Sequence, residues 1–116
     1  MAAVGELVVL VDGATASGGS MAVHCGDMLT LGRAPDCNVR IRLATVSKLA
    51  ARLVVEGAHA FFVNESAASP AVLTRGGAPV ATPLGEPVAL EHGDRLAFSS
   101  RDFLFLYGAW VGPFVF

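Results

Sequence analysis

The feature that most constrains the fold of this chain is the spacing of its turn signals. Asp12-Gly13, Cys25-Gly26-Asp27, Ala34-Pro35-Asp36, Glu56-Gly57, Arg75-Gly76-Gly77, the stretch holding Pro83, Gly85 and Pro87, Glu91-His92-Gly93-Asp94 and Ser99 to Asp102 interrupt it repeatedly. Turn chemistry recurring every ~8–12 residues leaves room for short strands and not for helices of ordinary length. The runs between these turns suit strands. Glu6 to Asp12 is β-branched, and Met21 to His24, Met28 to Leu31, Arg52 to Val55, Ala58 to Asn64, Val72-Leu73, Ala78 to Val80, Val88 to Leu90, Arg95 to Phe98 and Phe103 to Tyr107 follow. With Val39 to Leu43 this makes about eleven strands and no convincing helix, the pattern of an all-β sandwich or small barrel.

Val39-Arg40-Ile41-Arg42-Leu43 alternates strictly. It predicts a half-buried strand with Val39, Ile41 and Leu43 inward and a basic outer face. Ala14 to Ser20 (ATASGGS) has too little apolar content to pack and reads as a flexible loop. In Ala44 to Ala51 the positions Leu43, Val46, Ala50 and Leu53 fit helical spacing, and the alanines favour helix. The run is short and leads into a strand, so a loop or single turn is expected over 44–50.

A chain of 116 residues is one domain that can bury a core unaided. Its hydrophobic share is 53% and its charged share 16%, against a usual ~45–50% and ~25%. That apolar excess suits a chain that hides surface against a partner. A net charge of −2 excludes general attraction to nucleic acid or an anionic membrane. The cations are nevertheless concentrated: Arg33, Arg40, Arg42, Lys48 and Arg52 are five of the eight basic residues, with Asp36 the single acid among them. Cys25 and Cys37 have no metal or CxxC spacing and read as free thiols of a reducing compartment, with a bridge between them left open. The N-terminus lacks a basic n-region, so no signal peptide is expected. Phe103 to Phe116 is apolar but covers only 14 residues, broken by Gly108, Gly112 and Pro113, whereas a bilayer span needs roughly 17–25. A soluble, intracellular domain is expected.

The chemistry concentrates in two segments. Leu31-Gly32-Arg33 puts a guanidinium at a strand end, and Thr45-Val46-Ser47-Lys48 puts a hydroxyl and an ammonium on the loop that follows. These groups together can hold a phosphate dianion. Taken alone, Arg33 could equally pair with Asp36, Ser47 cap a turn and Lys48 be a solvated charge. Arg40 and Arg42 suit the charged face of an edge strand. His24, His59 and His92 are scattered without zinc spacing, neither cysteine has an evident base, and no nucleophile elbow is present. No catalysis, metal or cofactor is expected.

Leu31-Gly32-Arg33, Val46-Ser47-Lys48, Phe61-Phe62-Val63-Asn64-Glu65-Ser66 and Leu90-Glu91-His92-Gly93-Asp94-Arg95-Leu96-Ala97-Phe98 occur in this order. They resemble the forkhead-associated (FHA) domain over roughly residues 6 to 107. Within the family the likeness is to the FHA domain of the proliferation antigen that coats mitotic chromosomes. That domain has a similar Val-Ser-Lys segment, and a Ser-Asn-Pro-like loop where this chain has Ala68-Ser69-Pro70. The resemblance implies an eleven-stranded sandwich of two antiparallel or mixed sheets whose loops at one end bind phosphothreonine peptides, and a nuclear location like that of many members. Arg33, Ser47, Lys48 and Ser69 would then form the phosphopeptide site. The pattern departs at three positions. Ala50 replaces a loop-bracing histidine, Ala68 replaces a Ser or Thr that offers the phosphate a second hydroxyl, and Ser69 replaces the asparagine that holds the peptide main chain. Two lost hydrogen bonds to charged groups at about 1.5 kcal/mol each would weaken binding about 100-fold.

The other unusual segment is C-terminal. Phe98, Phe103, Phe105, Tyr107, Trp110, Phe114 and Phe116 are seven of the nine aromatics. Residues 1–108 are expected to form the sandwich. Residues 109–116 are expected to be an apolar extension that docks on the domain or, through Trp110, Phe114 and Phe116, on a partner or second copy. Two functions thus remain open: a phosphoprotein-binding module, and a phosphate-independent structural or oligomerisation domain on the same scaffold.

Overall fold

The computed structural model describes residues 3–11 and 14–108. Among these there are eleven strands and no helix. In chain order they are β1 (Gly5–Val11), β2 (Ala14–Val23), β3 (Met28–Gly32), β4 (Val39–Arg40), β5 (Ala51–Glu56), β6 (His59–Asn64), β7 (Val72–Arg75), β8 (Ala78–Val80), β9 (Val88–Ala89), β10 (Arg95–Phe98) and β11 (Arg101–Tyr107). They form a six-stranded sheet, β2-β1-β11-β10-β7-β8, and a five-stranded sheet, β4-β3-β5-β6-β9. All pairings are antiparallel except the short parallel β3–β4 contact, Leu31 opposite Val39 and Gly32 opposite Arg40. This is a sandwich, one of the two architectures the turn spacing allows, with the mixed two-sheet arrangement that the family resemblance implies.

The two inner faces meet in one core. Leu7, Phe103 and Phe105 from one sheet, and Leu31, Leu53 and Phe62 from the other, are almost wholly removed from water. Burying a side chain of this size stabilises a fold by about 1.5–3 kcal/mol. Phe98 sits edge-on to Phe103 at 5.7 Å and to Phe62 at 6.3 Å, the arrangement aromatic quadrupoles favour. Tyr107, expected to face the core with Phe103 and Phe105, is half-buried. Its hydroxyl accepts from Ala60 N–H at 3.1 Å and donates to Leu90 O at 3.0 Å, tying β11 to the other sheet.

Two expectations are corrected. Ala14 to Ser20 is not a loop but most of a ten-residue strand paired with β1, Leu10 opposite Thr15 and Val8 opposite Ser20, with a bulge between. Backbone pairing with a β-branched neighbour needs no apolar side chains of its own, and β2 is a sheet edge. The strand expected over Val39 to Leu43 stops at Arg40. Ile41 still donates to Gly32 O at 2.7 Å, but Leu43 N–H then folds back onto Ile41 O at 2.9 Å. The alternation was right about sides, since Ile41 is buried and Arg40 and Arg42 are exposed, and wrong about length. Residues 44–50 are the expected irregular loop, and Val46 and Ala50 dip from it into the core. Both cysteines are free thiols, Cys25 exposed and Cys37 half-buried. Trp110, Phe114, Phe116 and the 109–116 extension lie outside the described residues, as does the Asp12-Gly13 turn.

Candidate functional site

The rim of the sandwich beyond the ends of β3 and β6 gathers three loops, 33–38, 41–50 and 65–71. The first two are laced together by their backbones. Arg33 N–H donates to Ser47 O at 2.9 Å, Ala34 N–H to Lys48 O at 3.1 Å and Ala50 N–H to Leu31 O at 2.9 Å. This closeness requires a glycine at position 32. A Cβ there would stand 2.2 Å from Lys48 O and 2.8 Å from Lys48 C, both backbone atoms. The Gly32-Arg33 step therefore sets the approach of the loop that carries Ser47.

Arg33 and Ser47 do converge. The Arg33 side chain crosses to the second loop, where Nε donates to Val46 O at 3.0 Å. It makes no ion pair among the described residues, Asp36 included. The guanidinium is thereby tied to the residue before Ser47 and has no counter-charge among the described residues. Ser47 Oγ lies 3.2 Å from Ser69 Oγ and shares a 2.6 Å hydrogen bond with Ser66 Oγ. Ser66 in turn accepts from Ser69 N–H at 3.1 Å, which fixes the turn of the 65–71 loop. Three hydroxyls thus meet at one point of the rim. Ser66, 6% exposed, was missed as a contributor; its signal is a serine whose hydroxyl can cap the N–H three residues on.

Asn64 anchors the same loop from below. It is 2% exposed. Its side chain donates to Ala71 O at 3.1 Å and to Thr82 Oγ1 at 3.3 Å, and accepts from Ala71 N–H at 3.3 Å. Thr45 Oγ1 donates to Ser99 Oγ at 2.7 Å and links the 41–50 loop to the β10–β11 turn. Lys48 has its carbonyl inside, accepting from Ala34 N–H and the Cys37 thiol, while its side chain is exposed at the edge of a depression of about 340 Å³ lined also by Thr30, Asp36 and Leu49. Ala68 is exposed and adds no polar group, and Ala50, 1% exposed, belongs to the core.

Of the remaining cations, Arg52 is committed to Glu65 through Nε and Nη2, both 2.5 Å from one carboxylate oxygen. Arg75 lies at the other end of the sandwich, where it grips Asp94 with Nε at 2.9 Å and Nη2 at 2.8 Å, and meets Glu91 at 3.1 Å. The hydrogen bond to Asp94 raises the Arg75 pKa above its ordinary value, against partial desolvation and with added attraction from Asp94 and Glu91. Arg75 is therefore spent at the end of the sandwich opposite the three loops. His59 and His92, separate in sequence, line one depression of about 280 Å³ with Glu91 and Tyr107 at that same far end. No group of three or more potential metal ligands occurs among the described residues.

A family model described as the FHA domain matches residues 29–99, more than half of the chain. The chain belongs to the FHA domain family. The match spans the 33–38, 41–50 and 65–71 loops. Solved FHA structures share the fold. The FHA domain of CT664 protein from Chlamydia trachomatis is 13% identical with a TM-score of 0.72, over 88% of this chain and 95% of that one. The N-terminal FHA domain of S. cerevisiae Rad53p, solved with a phosphothreonine peptide, is 12% identical with a TM-score of 0.71, over 97% and 99%. The FhaA FHA domain, solved with the intracellular domain of Rv3910, is 20% identical with a TM-score of 0.67, over 87% and 98%. Identities this low carry the architecture and not the ligand. None of the curated proteins matches the chain.

Proposed function

We propose that this FHA domain is a non-catalytic interaction module that binds phosphothreonine-containing protein, with Arg33, Ser47, Lys48 and Ser69 as its anion site. The observation that carries the reading is that the Arg33 guanidinium donates to Val46 O at 3.0 Å, on the loop that carries Ser47, whose hydroxyl lies 3.2 Å from that of Ser69. A phosphate monoester offers three acceptor oxygens to such a set. The Rad53p and FhaA domains, whose structures hold a phosphothreonine peptide and a partner domain, support it by likeness of fold.

The pocket is a reduced one. Ala50 removes a brace, while Ala68 and the replacement of an asparagine by Ser69 remove two hydrogen bonds to the ligand worth about 1.5 kcal/mol each. Ser69 is the partial compensation, since its hydroxyl sits beside that of Ser47. One bond regained out of two lost leaves a deficit of about tenfold. Titration with phosphothreonine peptides and their unphosphorylated counterparts tests this. Binding that requires the phosphate, and that Arg33→Ala or Ser47→Ala abolishes, is expected; no binding at high micromolar peptide rules it out.

A second reading has its own support. The Ser47 hydroxyl already has partners inside the domain, Ser66 and Ser69, and so does not need a ligand. On that reading the FHA scaffold serves assembly, through self-association by Trp110, Phe114 and Phe116. β11 ends and Gly108 lies at the end of the sandwich opposite the 33–38, 41–50 and 65–71 loops. Sedimentation of the chain with and without residues 109–116 decides between a concentration-dependent oligomer and a monomer. The likeness to the mitotic-chromosome antigen rests on two short motifs, Val46-Ser47-Lys48 and Ala68-Ser69-Pro70, and a nuclear location rests on where many members of the family work. Imaging of the tagged protein tests the location.

A further inference from the structure

Resting on the phosphothreonine reading above, we propose that the site continues onto a shelf formed by Arg40 and Arg42, so that the preferred ligand carries a second anionic group beside the phosphothreonine. That group is a carboxylate or a further phosphate.

The stretch from Arg33 to Arg52 holds five cations, and one of them, Arg52, is neutralised by Glu65. Arg33, Arg40, Arg42 and Lys48 make no ion pair among the described residues. β4 lies alongside the motif, Arg40 directly opposite Gly32. Arg40 Nε donates to Arg33 O at 3.3 Å, which pins its stem over the Arg33 backbone. Only one guanidinium N–H is used by that contact, and on this exposed residue the remaining N–H donors suit a bidentate acid. Arg42, two residues on, is also exposed. The single acid of the stretch, Asp36, lines the depression next to Lys48, which neither Arg40 nor Arg42 borders.

Unpaired like charges gathered on one rim repel one another, and on a protein of net charge −2 they are not there for general solubility. Guarding the β4 edge against strand pairing would ask for a charge, commonly a lysine. It would not ask for an arginine fork tethered to the backbone of the phosphate-binding arginine. A ligand with two anionic groups in succession uses both forks at once.

The test compares four peptides by fluorescence anisotropy: phosphothreonine with neutral flanks, with acidic flanks, with a neighbouring second phosphate, and the acidic peptide without phosphate. The expected result is about three- to tenfold tighter binding of the second and third than of the first, the range for one or two exposed charge pairs. The double variant Arg40→Gln, Arg42→Gln should erase that gain and hold the neutral-flank affinity within about twofold, which also shows that it folds. Whether the acidic or the doubly phosphorylated peptide gains more identifies which anion the shelf takes. Equal affinity for all three phosphopeptides overturns the proposal and leaves the phosphothreonine site standing. A gain that survives in the double variant overturns it too. So does loss of the neutral-flank peptide in that variant, or equally tight binding of the unphosphorylated acidic peptide. Failure of every phosphopeptide to bind overturns the underlying reading and the shelf with it.

Discussion

Replacing Gly32 with alanine tests how the fold sets the site. The new methyl would enter 2.2 Å from Lys48 O, 2.8 Å from Lys48 C and 3.0 Å from Leu49 Cα, all atoms of the backbone. Ordinary carbon contacts need about 3.5 Å, so the 45–49 segment must retreat by roughly 1 Å. The hydrogen bonds that hold it, Arg33 N–H to Ser47 O and Ala34 N–H to Lys48 O, are then stretched past useful length. At about 1 kcal/mol each, with strain in whatever contact survives, the loss is about 2–3 kcal/mol. For a domain of this size that is a fall in Tm of about 10 °C. The same shift draws Ser47 away from Arg33, so phosphopeptide affinity should fall by more than the stability loss explains when both are measured at a temperature where the variant is folded. Differential scanning calorimetry and peptide titration at 10 °C give the two numbers. A Tm within about 2 °C of the parent with unchanged affinity would refute the claim that this close approach builds the site.

Other substitutions follow the same logic. Asn64→Ala strands the N–H and C=O of Ala71, both buried against it, and should cost about 2–4 kcal/mol in urea unfolding; a cost below about 1 kcal/mol contradicts its role as the anchor of the 65–71 loop. Asp94→Ala removes a 1%-exposed carboxylate from Arg75 and from Glu91 N–H, and because Arg75 remains 31% exposed the loss should sit near 2–3 kcal/mol, below the usual range for a fully buried pair. The hydrogen bond to Asp94 raises the pKa of Arg75 in the folded state. Its stabilising contribution is therefore fully present below the ordinary arginine range and lost only as pH climbs through the raised value, so the arginine side of this pair should add no slope to stability in the neutral range.

The strands were legible because their signals are local. The alternation of Phe103, Phe105 and Tyr107 and the β-branched run before Val11 needed no knowledge of partners. The first seven residues of β2, Ala14 to Ser20, were not, because their pairing with β1 is a backbone property of residues whose side chains say loop. β4 was overextended because alternation reports which side faces the core, and not whether the main chain keeps its hydrogen-bonding neighbour. Arg33 and Ser47 could be named from a family likeness. The reason for Gly32 beside Arg33 could not, since it depends on where Lys48 O lies in space. Ser66 escaped for the opposite reason: its hydroxyl matters only through two other serines, one of them 19 positions away. Nor does any local signal mark the pairing of Arg75 with Asp94, 19 positions on, at the far end.

The central claim is that a phosphate is held where the 33–38, 41–50 and 65–71 loops meet. The most direct measurement is an amide NMR titration of the labelled domain with a phosphothreonine peptide and its unphosphorylated twin. The account predicts phosphate-dependent shifts confined to Arg33 and its neighbours, Ser47-Lys48 and Ser66 to Ser69. Shifts that appear equally without the phosphate, or that gather around residues 91–94 and Gly108 at the opposite end, would contradict it.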